Sequence, residues 1–248
     1  MHATLTVPSA VAPTALDSLP TVPGRVPAPA AVAAAVAVAV GAAVDTDRLL
    51  RDHRHALAHL LLGIAGLRDQ VRGGRDDPVE HMTWRLKSAA SIEAKARRKG
   101  IPLDDDALRG GLQDLAGLRV VCAFLSDVRE VRDAVLALPG LVLLEERDYA
   151  TRPKASGYRS LHLVVGVPVR GAGHVTVEIQ LRTVAMDFWA CLEHRLAYRH
   201  HAPAPVTVSA TLRRAAAVTN ALDLALDRLW SRTADAAAAP ALGSSRAA

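Results

Sequence analysis

The feature that most constrains the fold is a change of hydrophobic period within residues 178–198 and the strand pattern just before it. Residues 174–182 alternate between apolar and polar side chains, as in a strand with one buried face. The apolar set is Val175, Val177, Ile179 and Leu181, and the polar set is Thr176, Glu178, Gln180 and Arg182. From residue 183 the period becomes helical, and the predicted sheet-packing stripe is Ala185, Phe188, Leu192 and Leu196. A carboxylate, an amide and a guanidinium therefore share a strand face beside a helix start, where anions are favoured.

The composition indicates one domain with an aliphatic core. The chain has 248 residues, of which 50% are hydrophobic but only 3% aromatic, so Leu, Val and Ile must supply most of the buried surface. A formal net charge of +5 favours a polyanionic partner, either a nucleic acid or a phosphorylated small molecule. Cys122 and Cys191 give no disulfide framework and suit a reducing compartment. We therefore expect a cytoplasmic protein.

Low-complexity segments mark both ends of the chain. Residues 1–44 and 233–248 are rich in Ala, Pro and Ser and are expected to be disordered, which leaves 45–232 as the folded domain. Residues 28–44 are almost wholly Ala and Val, with Pro-rich flanks and weak hydrophobicity. We therefore expect no membrane insertion.

The folded part predicts an α+β architecture. Helical spacing of leucines begins near residue 45, and Ser88 and Gly100 are typical of the two ends of a second helix. Residues 115–125, 127–138 and 141–147 follow a strand, helix, strand pattern, and a glycine-rich turn joins two further strands, 158–169 and 174–182. Two helices close the chain. The prediction is a mixed or antiparallel sheet flanked by helices.

Four segments, taken in order, resemble the synthetase domain of the RelA/SpoT family, and in particular its small, synthetase-only members. They are residues 84–100, 113–120, 147–162 and 178–194. Each alone is a weak signal, but four with compatible order and spacing are hard to obtain by chance. The resemblance implies a nucleotidyltransferase-like fold and GTP pyrophosphokinase activity. Such enzymes transfer the β,γ-pyrophosphate of ATP to the 3′-hydroxyl of GTP or GDP, release AMP and make the alarmone (p)ppGpp of the stringent response.

The resemblance implies a pair of catalytic carboxylates. Asp114 would bind a Mg²⁺ ion that bridges the ATP phosphates. Glu178 would accept the proton of the guanosine 3′-hydroxyl, or orient that hydroxyl, and is the second candidate metal ligand. Taken alone, Asp114 is typical of a turn and Glu178 of an exposed strand face, so both roles depend on their pairing.

The resemblance also assigns the two nucleotides. Joining two polyphosphates requires many cationic donors in one cleft, whereas a solvated basic face is the alternative. The ATP-side candidates are Arg85, Lys87, Lys95, Arg98 and Arg119, of which Arg85 and Arg119 would flank the adenine. The candidates on the guanine side are Tyr158 for stacking, Asp187 for the base edge, Arg147, Lys154 and His162 for phosphates, and Gln180 and Arg182 in support.

The implied partners are ATP, GTP or GDP, and further copies of the chain. The flanking helices, about 45–72 and 206–232, resemble those through which small family members form homotetramers. Only a tail and one helix precede residue 80, so we expect no hydrolase activity. Two alternatives stand beside the enzyme: a basic nucleic-acid-binding module, and a relative that binds nucleotides without turnover. For the enzyme itself, nucleic acid is expected at most as a regulator.

Overall fold

The computed structural model describes residues 48–71, 77–102, 105–198 and 205–238. The helices and strands, in chain order, are α1 Arg48–Val71, β1 Val79–Leu86, α2 Ala89–Lys99, α3 Asp105–Gly111, β2 Ala116–Cys122, α4 Leu125–Leu136, β3 Val142–Asp148, β4 Leu161–Val169, β5 Gly173–Thr183, α5 Val184–Tyr198 and α6 Val206–Ala238. The last helix thus continues past residue 232, where we expected a tail to begin. The remainder of both predicted tails lies outside the described residues.

The strands form one mixed sheet in the order β1-β2-β5-β4-β3. Neighbouring strands are antiparallel, except that β2 and β5 run parallel at the centre of the sheet. The β4–β5 hairpin pairs Val169 with Gly173, close to the turn that the glycines predicted. The expected α+β fold with a mixed sheet and flanking helices is therefore confirmed.

The two faces of the sheet differ in chemistry. One face carries the apolar set of β5 and matching residues of β2 and β4, and α1 and α4 cover it to form the main core. The other face carries the polar set of β5. Because side chains alternate along a strand, burial of the first face fixes which side chains reach the second.

The caps predicted for the second helix are present in α2. The Ser88 side chain accepts a hydrogen bond from the backbone N–H of Ser91, and Gly100 ends the helix in the left-handed conformation, with φ of 66°. β1 and α3 were not predicted from the sequence. Alternate residues of β1, namely His81, Thr83 and Arg85, are polar and lie on the cleft face, whereas the residues between them pack against the core. This alternation is the signal that could have identified β1.

The stripe predicted to pack α5 on the sheet lies instead on its outer surface. Phe188 is 59% exposed, and Leu192 and Leu196 are also exposed. The helix buries Trp189 and Ala190, which pack against α6, and the Trp189 indole donates to the backbone carbonyl of Leu212 at 2.8 Å. Both faces of α5 are apolar, so periodicity alone could not identify the packed one.

Among the described residues, no helix combines the length and the apolar composition that crossing a bilayer requires.

Gly157 is predicted to be needed both for its backbone conformation and for its size. Its φ is 95°, and a β-carbon there would lie 2.6 Å from the β-carbon of Ala216 in α6. Gly171, with φ of 78° and no atom within 4 Å of such a β-carbon, is the matched control. We expect Gly171→Ala to cost about 1–2 kcal/mol, from backbone strain alone, and Gly157→Ala to cost roughly 1–3 kcal/mol more because of the clash. Urea unfolding measures both, and equal losses would contradict the packing argument.

Candidate active site

The candidate site occupies the sheet face opposite α1 and α4. Sheet pairing aligns two neighbouring rows of residues across the strands. The first row is Arg85, Gly117, Glu178, Val164 and Glu145, and the second is Thr83, Arg119, Gln180, His162 and Arg147. The four segments that carry the family resemblance therefore meet on one surface, although they are far apart in the chain.

A cleft of about 470 Å³ opens over the first row and contains both predicted catalytic carboxylates. Asp114 lies in the turn before β2, and Glu178 lies on β5. Lys95 and Lys99 of α2, with Arg147 of β3, contribute the positive charge of the lining. Anionic and cationic groups thus converge in one cleft, as transfer between two polyphosphates requires.

Asp114 is held by two of the predicted ATP-side lysines. The Nζ atom of Lys95 donates to both carboxylate oxygens at 2.6 Å, and the Nζ of Lys87 lies 3.1 Å from Oδ2. Burial acts to raise the pKa of Asp114, but these two lysines outweigh it and hold the pKa below its ordinary value. Asp114 is therefore an ionised, cation-binding group at neutral pH.

Glu178 accepts a hydrogen bond on each carboxylate oxygen. His162 Nδ1 lies 2.9 Å from Oε1, and the Gln180 amide donates to Oε2 at 3.3 Å. The hydrogen bond from His162 holds the pKa of Glu178 below its ordinary value, against the burial and the Asp114 charge that act to raise it. The Asp114 charge acts on Glu178, as expected of two carboxylates lining one cleft.

Asp187 forms ion pairs with two arginines. Its Oδ1 lies 2.9 Å from Arg182 NH1 and 3.2 Å from Arg119 NH1. Burial, together with the neighbouring Arg182 cation, lowers the pKa of Arg119. The structure thus places the predicted adenine-side Arg119 and guanine-side Asp187 in one ion-paired cluster. A role for Asp187 at the base edge stays a prediction.

An aromatic cluster lies beside the histidine. Tyr149 and Tyr158 meet edge to face with ring centroids 6.2 Å apart, and each also meets the His162 ring edge to face. The Lys154 Nζ lies 4.6 Å from the Tyr149 centroid and 5.0 Å from that of Tyr158. A cation over two rings, at the edge of the polar face, provides both an anion contact and a stacking surface.

The remaining predicted residues lie at the margins. Arg85 is exposed on β1, and Arg98 is exposed on α2, one turn beyond Lys95. Arg147 is engaged by Glu145 and by the side-chain oxygen of Gln113. Of these three guanidinium groups, that of Arg147 lines the cleft.

The sequence assigned a supporting role to Arg182 and no role to Tyr149. Arg182 shares the polar face of β5 with Glu178 and Gln180, as the alternation predicted. Tyr149 follows β3 in an irregular segment, where no periodicity predicts direction.

The donor set suits a hard divalent cation. Asp114 and Glu178 supply carboxylate oxygens in one cleft, which are the ligands that Mg²⁺ prefers. Because Lys95 and Lys87 bind the same Asp114 oxygens, a cation binding there would compete with them.

Comparison with known sequences identifies the same region. The family model described as the region found in RelA/SpoT proteins matches residues 84–203. GTP pyrophosphokinase YjbM of Bacillus subtilis (strain 168) is 40% identical over 197 residues, which are 78% of this chain and 92% of that protein. GTP pyrophosphokinase YwaC of the same organism is 38% identical over 150 residues, covering 59% of this chain and 71% of its own length.

Solved structures give the same result. Small alarmone synthetase 1 from Bacillus subtilis, bound to its product pppGpp, matches with 39% identity and a TM-score of 0.67, covering 75% of this chain and 96% of that one. A GTP pyrophosphokinase family protein from Streptococcus pneumoniae matches with 37% identity and a TM-score of 0.68, covering 75% and 93%.

The lowered pKa of Glu178 predicts a pH-dependent contribution to stability. The contribution is fully present above the ordinary value of 4.5, which applies to the unfolded chain, and is lost as the pH falls through the lower folded value. We therefore expect the free energy of unfolding of the wild type, minus that of Glu178→Gln, to be larger at pH 7 than at pH 3.5. Urea titrations at both values measure this, and a difference independent of pH would contradict the assigned pKa.

Proposed function

Because the chain belongs to the RelA/SpoT family, we propose that it is a GTP pyrophosphokinase that transfers the β,γ-pyrophosphate of ATP to the 3′-hydroxyl of GTP or GDP. The observation that carries the proposal is the cleft in which Glu178 and Asp114 lie together with basic residues from α2 and β3. We propose residues 45–232 as one synthetase domain that acts in the cytoplasm.

The chemistry follows from the state of Glu178. Its lowered pKa keeps the carboxylate ionised at neutral pH, and each oxygen retains lone pairs beyond the one that His162 or Gln180 occupies. The 3′-oxygen forms a bond to the β-phosphorus, the bond from that phosphorus to the α-bridging oxygen breaks, AMP leaves, and the hydroxyl proton passes to Glu178. A carboxylate is a weak base, which suits a loose transition state in which the proton leaves late.

The ATP side of the proposed site is the end formed by α2 and β1. Lys87 and Lys95, now on Asp114, are placed to exchange that carboxylate for phosphate oxygens, with Arg98 one turn further along α2. Gly117 places no side chain on the cleft face between Arg85 and Glu178 in the first row. Arg85 and Arg119 lie on the same face of neighbouring strands, which supports their proposed position on either side of adenine.

The guanine side of the proposed site is the end formed by the aromatic cluster. Tyr158 offers a ring that already carries Lys154 above it, which supports stacking with a nearby phosphate contact. His162, Gln180 and Arg147 lie in one cross-strand row beside it. The convergence of these groups on a cleft favours an enzyme over a module that binds nucleic acid along a basic surface.

Radiolabelled product formation tests the proposal. The protein is incubated with Mg²⁺, γ-labelled ATP and either GTP, GDP or no acceptor, and products are separated. We expect label in the guanine nucleotide with equimolar AMP. Glu178→Gln should lose about 10²–10⁴-fold in rate while retaining nucleotide binding, since an amide cannot accept the proton. Label found solely in free phosphate or pyrophosphate would contradict the proposal.

Mg²⁺ is the proposed cofactor, held by Asp114 and Glu178, and when bound it neutralises phosphate charge. We predict that Asp114→Asn raises the Mg²⁺ concentration needed for half-maximal rate, because a neutral amide is a poorer ligand for a hard cation. The measurement is the rate as a function of free Mg²⁺ at fixed nucleotide. An unchanged Mg²⁺ dependence would mean that Asp114 serves only to hold the lysines.

We also propose that the protein is a homo-oligomer, with the tetramer expected from its small relatives. The exposed stripe of α5, formed by Val184, Phe188, Leu192 and Leu196 at intervals of four residues, supports the proposal. Three leucines of α6 are also exposed, namely Leu222, Leu226 and Leu229.

Phe188→Glu is predicted to lower the mass of the assembly, because it places a charge in the centre of the α5 stripe. Sedimentation velocity at micromolar concentration measures the mass. The matched control is His194→Gln, an exposed polar position on another face of the same helix, which should leave the mass unchanged. A Phe188→Glu protein with wild-type mass would exclude this stripe from the interface.

A further inference from the structure

Two arms of hydrogen bonds connect Arg182 to Glu178. The first arm passes through Tyr158 and His162, and the second passes through Gln180. The NH2 nitrogen of Arg182 donates to the Tyr158 hydroxyl at 2.8 Å and to the Gln180 side-chain oxygen at 3.1 Å. The Tyr158 hydroxyl lies 2.8 Å from His162 Nε2. His162 and Gln180 then contact the two oxygens of Glu178.

The donor chemistry of arginine sets the direction of the first arm. A guanidinium can only donate, so the Tyr158 oxygen must accept from Arg182, and the hydroxyl hydrogen is free to be donated to His162 Nε2. A nitrogen that accepts carries no hydrogen in the neutral imidazole. The Glu178 carboxylate at the other end of the imidazole can only accept, so both neighbours together place the hydrogen of neutral His162 on Nδ1, where it is donated to Oε1.

The donor chemistry of Arg182 also sets the direction of the hydrogen bonds in the second arm. The Gln180 oxygen must face the Arg182 donor, so its amide nitrogen faces Glu178 and donates to Oε2. Both hydrogens of one guanidinium nitrogen are thus used, and both arms deliver a donor to the same carboxylate. The Arg182 side chain is only 5% exposed, and its NH1 is anchored on Asp187, so water competes weakly for these donors.

We infer that Arg182 is a positioning residue that fixes the tautomer of His162 and the amide orientation of Gln180, and thereby the orientation of the Glu178 carboxylate. Arg182 acts through Tyr158, His162 and Gln180, and it need not touch either substrate. The catalytic consequence of this inference rests on the proposed pyrophosphokinase function, whereas the tautomer can be measured without any turnover.

The experiment is long-range ¹H–¹⁵N correlation of ¹⁵N-histidine-labelled protein near pH 8, where an ordinary imidazole is neutral. The His162 signals are identified by their loss in His162→Gln. We expect the Nδ1–H tautomer in the wild type. Arg182→Met and Tyr158→Phe each cut the first arm and should release His162 to a tautomer mixture. Gln180→Met cuts only the second arm and should retain the Nδ1–H form.

Kinetics then separate positioning from simple structural support. We expect kcat to fall by about 10²-fold in Arg182→Met, because a misplaced base costs roughly that much, with KM for each nucleotide within about threefold.

An Nε2–H or doubly protonated His162 in the wild type would overturn the inference. So would an unchanged tautomer in both first-arm variants. Tyr158→Phe retains Arg182 and the aromatic ring, so it decides the matter if Arg182→Met fails to fold. If the wild type makes no product, the proposed function fails while the tautomer result still stands or falls on its own.

Discussion

The carboxylate of Glu178 is the group on which the rest of the site depends. It lies on the central strand pair of the sheet, where β2 and β5 run parallel, and it accepts hydrogen bonds on both oxygens. Removing a carboxylate from water is unfavourable unless its lone pairs are satisfied. His162 and Gln180 satisfy them from neighbouring positions on the same sheet face, so the strand register that forms the core also positions the base.

Charge is arranged in the site in two clusters. In the first cluster, Lys87 and Lys95 bind Asp114, and all three side chains are partly buried. In the second, Arg119 and Arg182 share Asp187, with Arg182 and Asp187 buried and Arg119 32% exposed. A buried pair that loses a partner is strongly destabilised. The Arg182–Asp187 pair is therefore the fixed part of the charge arrangement.

The sequence predicted strands β2 to β5, and it predicted which residues of β5 share the polar face because the alternation along β5 is unambiguous. Val175, Val177 and Ile179 had to be buried, which placed Glu178 and Gln180 on the opposite face. The orientation of α5 could not be predicted, since Phe188 and Trp189 are both large and apolar and only tertiary packing against α6 separates them. The Asp187 cluster depends on side-chain contacts between strands and a helix, which no local pattern records.

A structure with a non-hydrolysable ATP analogue, GDP and Mg²⁺ would show whether Glu178 faces the acceptor hydroxyl. We expect the guanosine 3′-oxygen to lie about 3 Å from a Glu178 carboxylate oxygen, within hydrogen-bonding reach, with Lys87 and Lys95 moved from Asp114 onto phosphates. A ribose whose 3′-hydroxyl faces away from Glu178, or nucleotides bound on the sheet face that α1 and α4 cover, would contradict the assignment of Glu178 as the base.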